Sequence, residues 1–142
     1  MEQTSVIDEV QMAHILIVDD SDTVRTQLRN DLISEGYDTF EACNGLDGLR
    51  MLEENPNKID LIICDVNMPE MDGLTMCREI QKNPAQHKIR VIMLTTQTSA
   101  EMKAEGKESG VIAWVVKPYE KKKLMHGVAK VLAQRASATE GK

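Results

Sequence analysis

Five short apolar runs, each followed by a longer amphipathic stretch, constrain this 142-residue chain more than any other feature. The runs are His14–Val18, Tyr37–Ala42, Leu61–Cys64, Val91–Leu94 and Ala113–Val116. The first, third and fourth are almost unbroken Ile, Leu, Val and Met, the pattern of strands covered on both faces. Tyr37–Ala42 is interrupted by Asp38, Thr39 and Glu41 and is predicted to lie at a sheet edge. Strands that alternate with helices pair in parallel, because each helix carries the chain back across the sheet. The pattern therefore predicts an α/β fold, a doubly wound parallel sheet with helices on both faces.

The helices announce themselves by spacing and caps. Val24, Leu28 and Leu32 recur every four residues, with Ser21 or Asp22 available as a cap. Asn44 precedes Leu46, Leu49 and Leu52, and Pro56 follows them. Leu74, Cys77 and Ile80 mark a third helix, and Leu124, Val128, Val131 and Leu132 a last one from about Tyr119. Ser99–Ser109 is weakly apolar and interrupted by Gly106, which predicts a marginal, mobile helix. Residues 13–134 form one expected domain, between a flexible extension at 1–12 and a flexible tail at 135–142.

Charge and cysteine usage narrow the setting. A net charge of −6 opposes general binding to nucleic acid. Cys43, Cys64 and Cys77 have neither paired metal spacing nor an even count, so free thiols in a reducing compartment are expected. The acidic residues Glu2, Asp8 and Glu9 leave no room for a signal peptide within 1–11, and no apolar run approaches membrane-spanning length. A soluble, cytoplasmic protein without membrane insertion is expected.

In open parallel sheets, functional groups gather at the carboxyl ends of the strands. Here those ends read Asp19-Asp20, Asp65, Thr95-Thr96 and Lys117-Pro118. Alone, an Asp-Asp pair is usually a turn or cap and a Lys-Pro a turn; their conjunction at four successive ends is the specific signal. Carboxylates about 4 Å apart repel by roughly 4 kcal/mol per pair at an effective dielectric of 20. A divalent cation removes that penalty, and an all-oxygen set favours Mg2+ over zinc. No histidine stands at these ends; His14, His87 and His126 read as surface or packing residues. An aspartate beside such an ion is a nucleophile toward phosphorus. The cation, Lys117 and the Thr95 hydroxyl then match the charge that spreads over the equatorial oxygens in phosphoryl transfer.

Ile15-Leu16-Ile17-Val18-Asp19-Asp20, Asp65-Val66-Asn67-Met68-Pro69-Glu70-Met71-Asp72-Gly73, Thr95-Thr96 and Lys117-Pro118 together resemble the receiver domain of two-component response regulators. The resemblance covers about residues 13–134 and is nearest to the stand-alone, CheY-like type. It implies a flavodoxin-like fold of five parallel strands in the order 2-1-3-4-5. It also implies that Asp65 is the phosphoacceptor. Asp20, Asp65 and the Asn67 backbone carbonyl would hold Mg2+, with Asp19 acting through water. Thr95 and Lys117 would engage the phosphoryl oxygens, and the Lys117–Pro118 peptide would be cis. The donor would be a sensor histidine kinase. The target would be a flagellar motor switch or another protein, with a phosphatase as a further possible partner. The output surface would comprise Ser99–Ser109, Trp114 and the last helix, whose start carries Lys121-Lys122-Lys123.

Two positions depart from the family pattern. Trp114 stands where Tyr or Phe is usual at the switch position, and Thr96 where a small residue is usual. By the resemblance, Thr96 would narrow the approach of hydrolytic water and slow self-dephosphorylation, and Gln97 and Asn67 would flank the same place. No enzyme with turnover of a separate substrate is expected. An aspartyl phosphatase would need a general acid at position 67, where Asn67 has no carboxyl proton. A nucleotide or flavin carrier would need a phosphate-binding loop where Asp19-Asp20 stands. A binding module without phosphorylation would have no need of the complete acceptor set.

Overall fold

Alternating strand residues face opposite sides of a sheet, so an unbroken apolar strand requires two cores. The computed structural model of the chain describes residues 13–86 and 88–140 and contains both. The strands are β1 (His14–Val18), β2 (Asp38–Ala42), β3 (Leu61–Cys64), β4 (Arg90–Thr95) and β5 (Val111–Val116). The helices are α1 (Asp22–Ser34), α2 (Gly45–Glu54), α3 (Gly73–Gln81), α4 (Ala100–Glu108) and α5 (Lys121–Glu140). All strand pairs are parallel and the sheet order is β2-β1-β3-β4-β5, the doubly wound order expected.

On one face Leu16, Val18, Ile62, Cys64, Val91 and Met93 meet Leu52 of α2 and Met76, Cys77 and Ile80 of α3. On the other, Ile15, Ile17, Leu61, Ile63, Ile92 and Leu94 meet Leu28 and Leu32 of α1 and Leu124, Val128 and Val131 of α5. The central strands are covered throughout. β2, with its polar residues, is the partly exposed edge the sequence predicts. β5 is the other edge and leaves Ile112 and Val116 exposed.

Caps fix where the helices begin. The side chains of Ser21, Asn44, Asp72 and Ser99 each accept a backbone N–H three residues on. Several boundaries differ from the sequence expectation. Tyr37 stays outside β2 because its N–H bonds back to the Leu32 carbonyl as α1 ends. α5 begins at Lys121, not Tyr119; the Lys117–Pro118 peptide is cis, and the Tyr119 hydroxyl donates to Asp31 at 2.7 Å. α5 also continues to Glu140, past the point where a tail is expected, because no Gly or Pro interrupts residues 135–140. The extension at 1–12, the last two residues and His87 lie outside the described residues.

In α2 the expected apolar face is rotated. Gly45, Gly48 and Leu52 point inward, and Leu46 is 49% exposed. The two glycines let the helix approach Met71 and Met76 closely, which a spacing count of leucines cannot register. Leu52→Ala is therefore expected to cost about 2–5 kcal/mol of unfolding free energy. Leu46→Ala should stay within about 0.5 kcal/mol of wild type. Urea denaturation of both variants checks the assignment, and equal costs would contradict it.

Candidate functional site

The parallel ladder runs one residue beyond several strands and so fixes the residues that carry charge. The Asp19 N–H donates to Ala42 O at 3.1 Å, Asp65 N–H to Val18 O at 2.9 Å and Lys117 N–H to Thr95 O at 2.8 Å. Each side chain consequently starts from a hydrogen-bonded backbone at the carboxyl edge of the sheet, as the sequence predicts for Asp19, Asp65 and Lys117. Thr95 is the last residue of β4 and is fully buried.

Carboxylate oxygens of Asp19, Asp20 and Asp65 all lie within 4.8 Å of one another. Asp19 and Asp65 are buried, whereas Asp20 is exposed. The Lys117 ammonium reaches between the buried pair, 2.8 Å from Asp19 Oδ2 and 3.2 Å from Asp65 Oδ2. Three carboxylates face one ammonium, a surplus of two negative charges in a small volume. Burial pushes the Asp65 carboxyl above the usual aspartate range; Lys117 opposes that rise and Asp19 adds to it. Burial acts on Lys117 in the downward direction, yet its bonds to Asp19 and Asp65 outweigh this and hold its pKa above the ordinary lysine value. The ion pair is thus secure, and the leftover negative charge is what a divalent cation would neutralise.

The β1–α1 turn is held from several sides. Asp19 Oδ1 accepts the Ser21 N–H at 2.9 Å. The Asp19 carbonyl accepts a bond from Arg25 Nη1 at 2.5 Å. Arg25 also pairs with Asp22 and lies 3.5 Å from Glu41. The loop after Asp65 is held as firmly. Gly73 N–H donates to Val66 O at 2.8 Å and Gly45 N–H to Met71 O at 3.0 Å. A Cβ on Gly73 would stand 2.1 Å from the Asp65 carbonyl oxygen, so only glycine lets α3 start this close to Asp65. Asn67 is exposed on this loop.

Sequence reasoning placed the charged groups but not their supports. Gly45 and the link from Tyr119 to Asp31 act between segments remote in sequence, and no local pattern marks them; Arg25 lies only six residues from Asp19, but its bond to the Asp19 carbonyl was not foreseen. Gly73 carried one signal, the Asp72-Gly73 pair, which reads as a turn and helix start. Lys117, expected to engage phosphoryl oxygens, here bonds two aspartates. The Thr95 hydroxyl accepts one long bond, its Oγ1 3.5 Å from the Gln97 backbone nitrogen. Thr96 and Gln97 are exposed beside it, and Trp114 is half-buried. His14 packs as expected, its ring centroid 5.9 Å from that of Phe40, and His126 is exposed.

Known proteins share this arrangement of sequence and fold. The family described as response regulator receiver domain matches residues 15–129. The transcriptional regulatory protein GlrR of Escherichia coli K12 is 39% identical over 128 residues, which are 90% of this chain and 28% of GlrR. The chain thus spans little more than a quarter of that relative. The chemotaxis protein CheY of Bacillus subtilis is 33% identical over 123 residues, covering 85% of this chain and 99% of CheY. The solved CheX–CheY–BeF3–Mg2+ complex from Borrelia burgdorferi aligns with a TM-score of 0.78 at 28% identity, over 84% of this chain and 88% of that one. The chain belongs to the receiver domain family of two-component response regulators.

Proposed function

We propose that this receiver is a cytoplasmic, chemotaxis-type switch that takes a phosphoryl group from a sensor histidine kinase onto Asp65. The observation that carries the reading is the convergence of Asp19, Asp20 and Asp65 within 4.8 Å under the Lys117 ammonium. Asp20, Asp65 and the Asn67 carbonyl hold Mg2+ in this reading, with Asp19 contributing through water. When bound, the ion neutralises carboxylate charge and draws negative charge off the transferring phosphoryl group.

The chain's own groups do the remainder. An Asp65 carboxylate oxygen attacks phosphorus as the bond to the kinase imidazole nitrogen breaks, and the imidazole leaves with that electron pair. Lys117 has three N–H donors; Asp19 and Asp65 engage two, which leaves one for a phosphoryl oxygen. The bond from Gln97 uses Thr95 only as an acceptor, so its O–H remains able to donate to a second oxygen. The protein catalyses its own phosphorylation and the hydrolysis of the resulting acyl phosphate, in which water releases inorganic phosphate and restores the Asp65 carboxylate, and it turns over no separate substrate. The chemotaxis assignment rests on Bacillus CheY, nearly all of which the chain matches. The similarity to GlrR favours a second reading, a receiver that serves transcription. Among the described residues no helix is long and apolar enough to cross a membrane. In the first reading a flagellar motor switch receives the signal through α4, Trp114 and α5, and a phosphatase ends it. A pull-down with beryllofluoride-treated protein tests this: retention of transcription components without motor proteins would favour the second reading.

Acetyl phosphate with Mg2+ is expected to add one phosphoryl mass to the protein. Asp65→Asn or chelation should abolish it in intact-mass measurements, and modification that persists in the variant would refute the acceptor assignment.

A carboxyl whose pKa is higher folded than unfolded binds its proton more tightly in the fold. Ionised Asp65 therefore costs stability at neutral pH, and the cost fades as pH falls through the raised value. Without metal, Asp65→Asn should raise Tm at pH 7, with a gain that shrinks in acid. Mg2+ should raise Tm of wild type and not of the variant. A lower Tm for the variant at pH 7 would contradict the electrostatic account.

Thr96→Ala opens the approach of water to the acyl phosphate. Its self-dephosphorylation should be up to about tenfold faster, equivalent to ~1.4 kcal/mol of barrier. An unchanged rate in a time course of phosphoprotein loss would reject the role of Thr96.

A further inference from the structure

Two residues that are separate oddities in the sequence meet in the fold. Gly106 is a glycine in the interior of α4, and Trp114 is the sole tryptophan. A Cβ on Gly106 would lie 2.8 Å from Cζ2 of Trp114 and 3.2 Å from Cβ and Cγ2 of Val111. Real Cβ atoms do not approach other atoms as closely as the first of these distances. Gly106 is also the one buried residue of α4, so the side of the helix that faces β5 carries no side chain at this point. Its backbone is ordinary helix. The glycine is present for space, not for conformational freedom.

Trp114 packs against the same core cluster as Met93, Val111 and Met102. It is in register with Met93. Thr95 lies two residues farther along β4 and so on the same side of the sheet as Met93. The indole therefore lies between α4 and the face of the sheet that carries Thr95.

We propose that Gly106 is the seat of the Trp114 indole, a positioning residue whose missing side chain admits this large ring at the switch position. Ring and helix are coupled by exclusion: with a methyl at 106, either the indole turns outward or α4 lifts from β5. Occupancy of the seat then sets the shape of the surface made by α4 and Trp114. That this surface reports phosphorylation rests on the function proposed above; the seat itself does not.

The test is Gly106→Ala on the full chain, alone and combined with Trp114→Phe. In the single variant, tryptophan emission should shift to the red, and the acrylamide quenching constant should rise at least twofold while far-UV circular dichroism is retained. Alanine is the better helix former, so in the Trp114→Phe background Gly106→Ala should raise Tm. In the Trp114 background that gain should vanish or reverse, a non-additivity that marks direct contact. Unchanged quenching overturns the proposal, and so do equal Tm shifts in both backgrounds. None of these readouts needs metal or phosphoryl donor. Failure of acetyl phosphate to modify wild type would therefore reject the functional reading and leave the seat to be judged by fluorescence and Tm.

Discussion

A sheet buried on both faces leaves its polar groups few places to go, and this constraint organises the molecule. The central strands β1, β3 and β4 contribute alternate residues to two separate apolar cores, with no polar side chain between His14 and Val18 or between Leu61 and Cys64. Polar chemistry is pushed to the strand ends, where the ladder still anchors the backbone but the helices no longer cover it. Asp19, Asp65 and Lys117 are anchored in this way by backbone bonds of 2.8 to 3.1 Å. The rigidity of the site is borrowed from the hydrophobic packing below it.

Electrostatics at that edge is deliberately incomplete. One ammonium between two buried aspartates is enough to fold around, since buried charges persist only when paired. It is not enough to neutralise three carboxylates. The residual negative charge and the raised Asp65 pKa describe a site whose repulsion a cation would relieve.

Close approach is the second organising device. Gly73 lets α3 begin against the Asp65 carbonyl, Gly45 and Gly48 bring α2 down on Met71 and Met76, and Gly106 opens room for Trp114. The α2 glycines also explain why Leu46 faces outward although leucine spacing alone predicts it inside. Hydrophobic periodicity records which residues are apolar, whereas helix orientation also depends on where a residue is small enough to let backbones meet.

Strand count, parallel pairing, the edge character of β2, the caps at Ser21 and Asn44 and the acidic strand ends were legible in the chain, because each is read from residues within a few positions of one another. Alternation and capping are local physics. The strand order was not legible in that way and came only through family resemblance. The pairing of Lys117 with Asp19, 98 residues away, the Tyr119–Asp31 link and the contact of Gly106 with Trp114 belong to tertiary structure alone. Each arises where two segments are brought together by burial of a third, and no short-range signal encodes a distance across that core. Residue identity determined what chemistry was possible; packing decided which groups would share it.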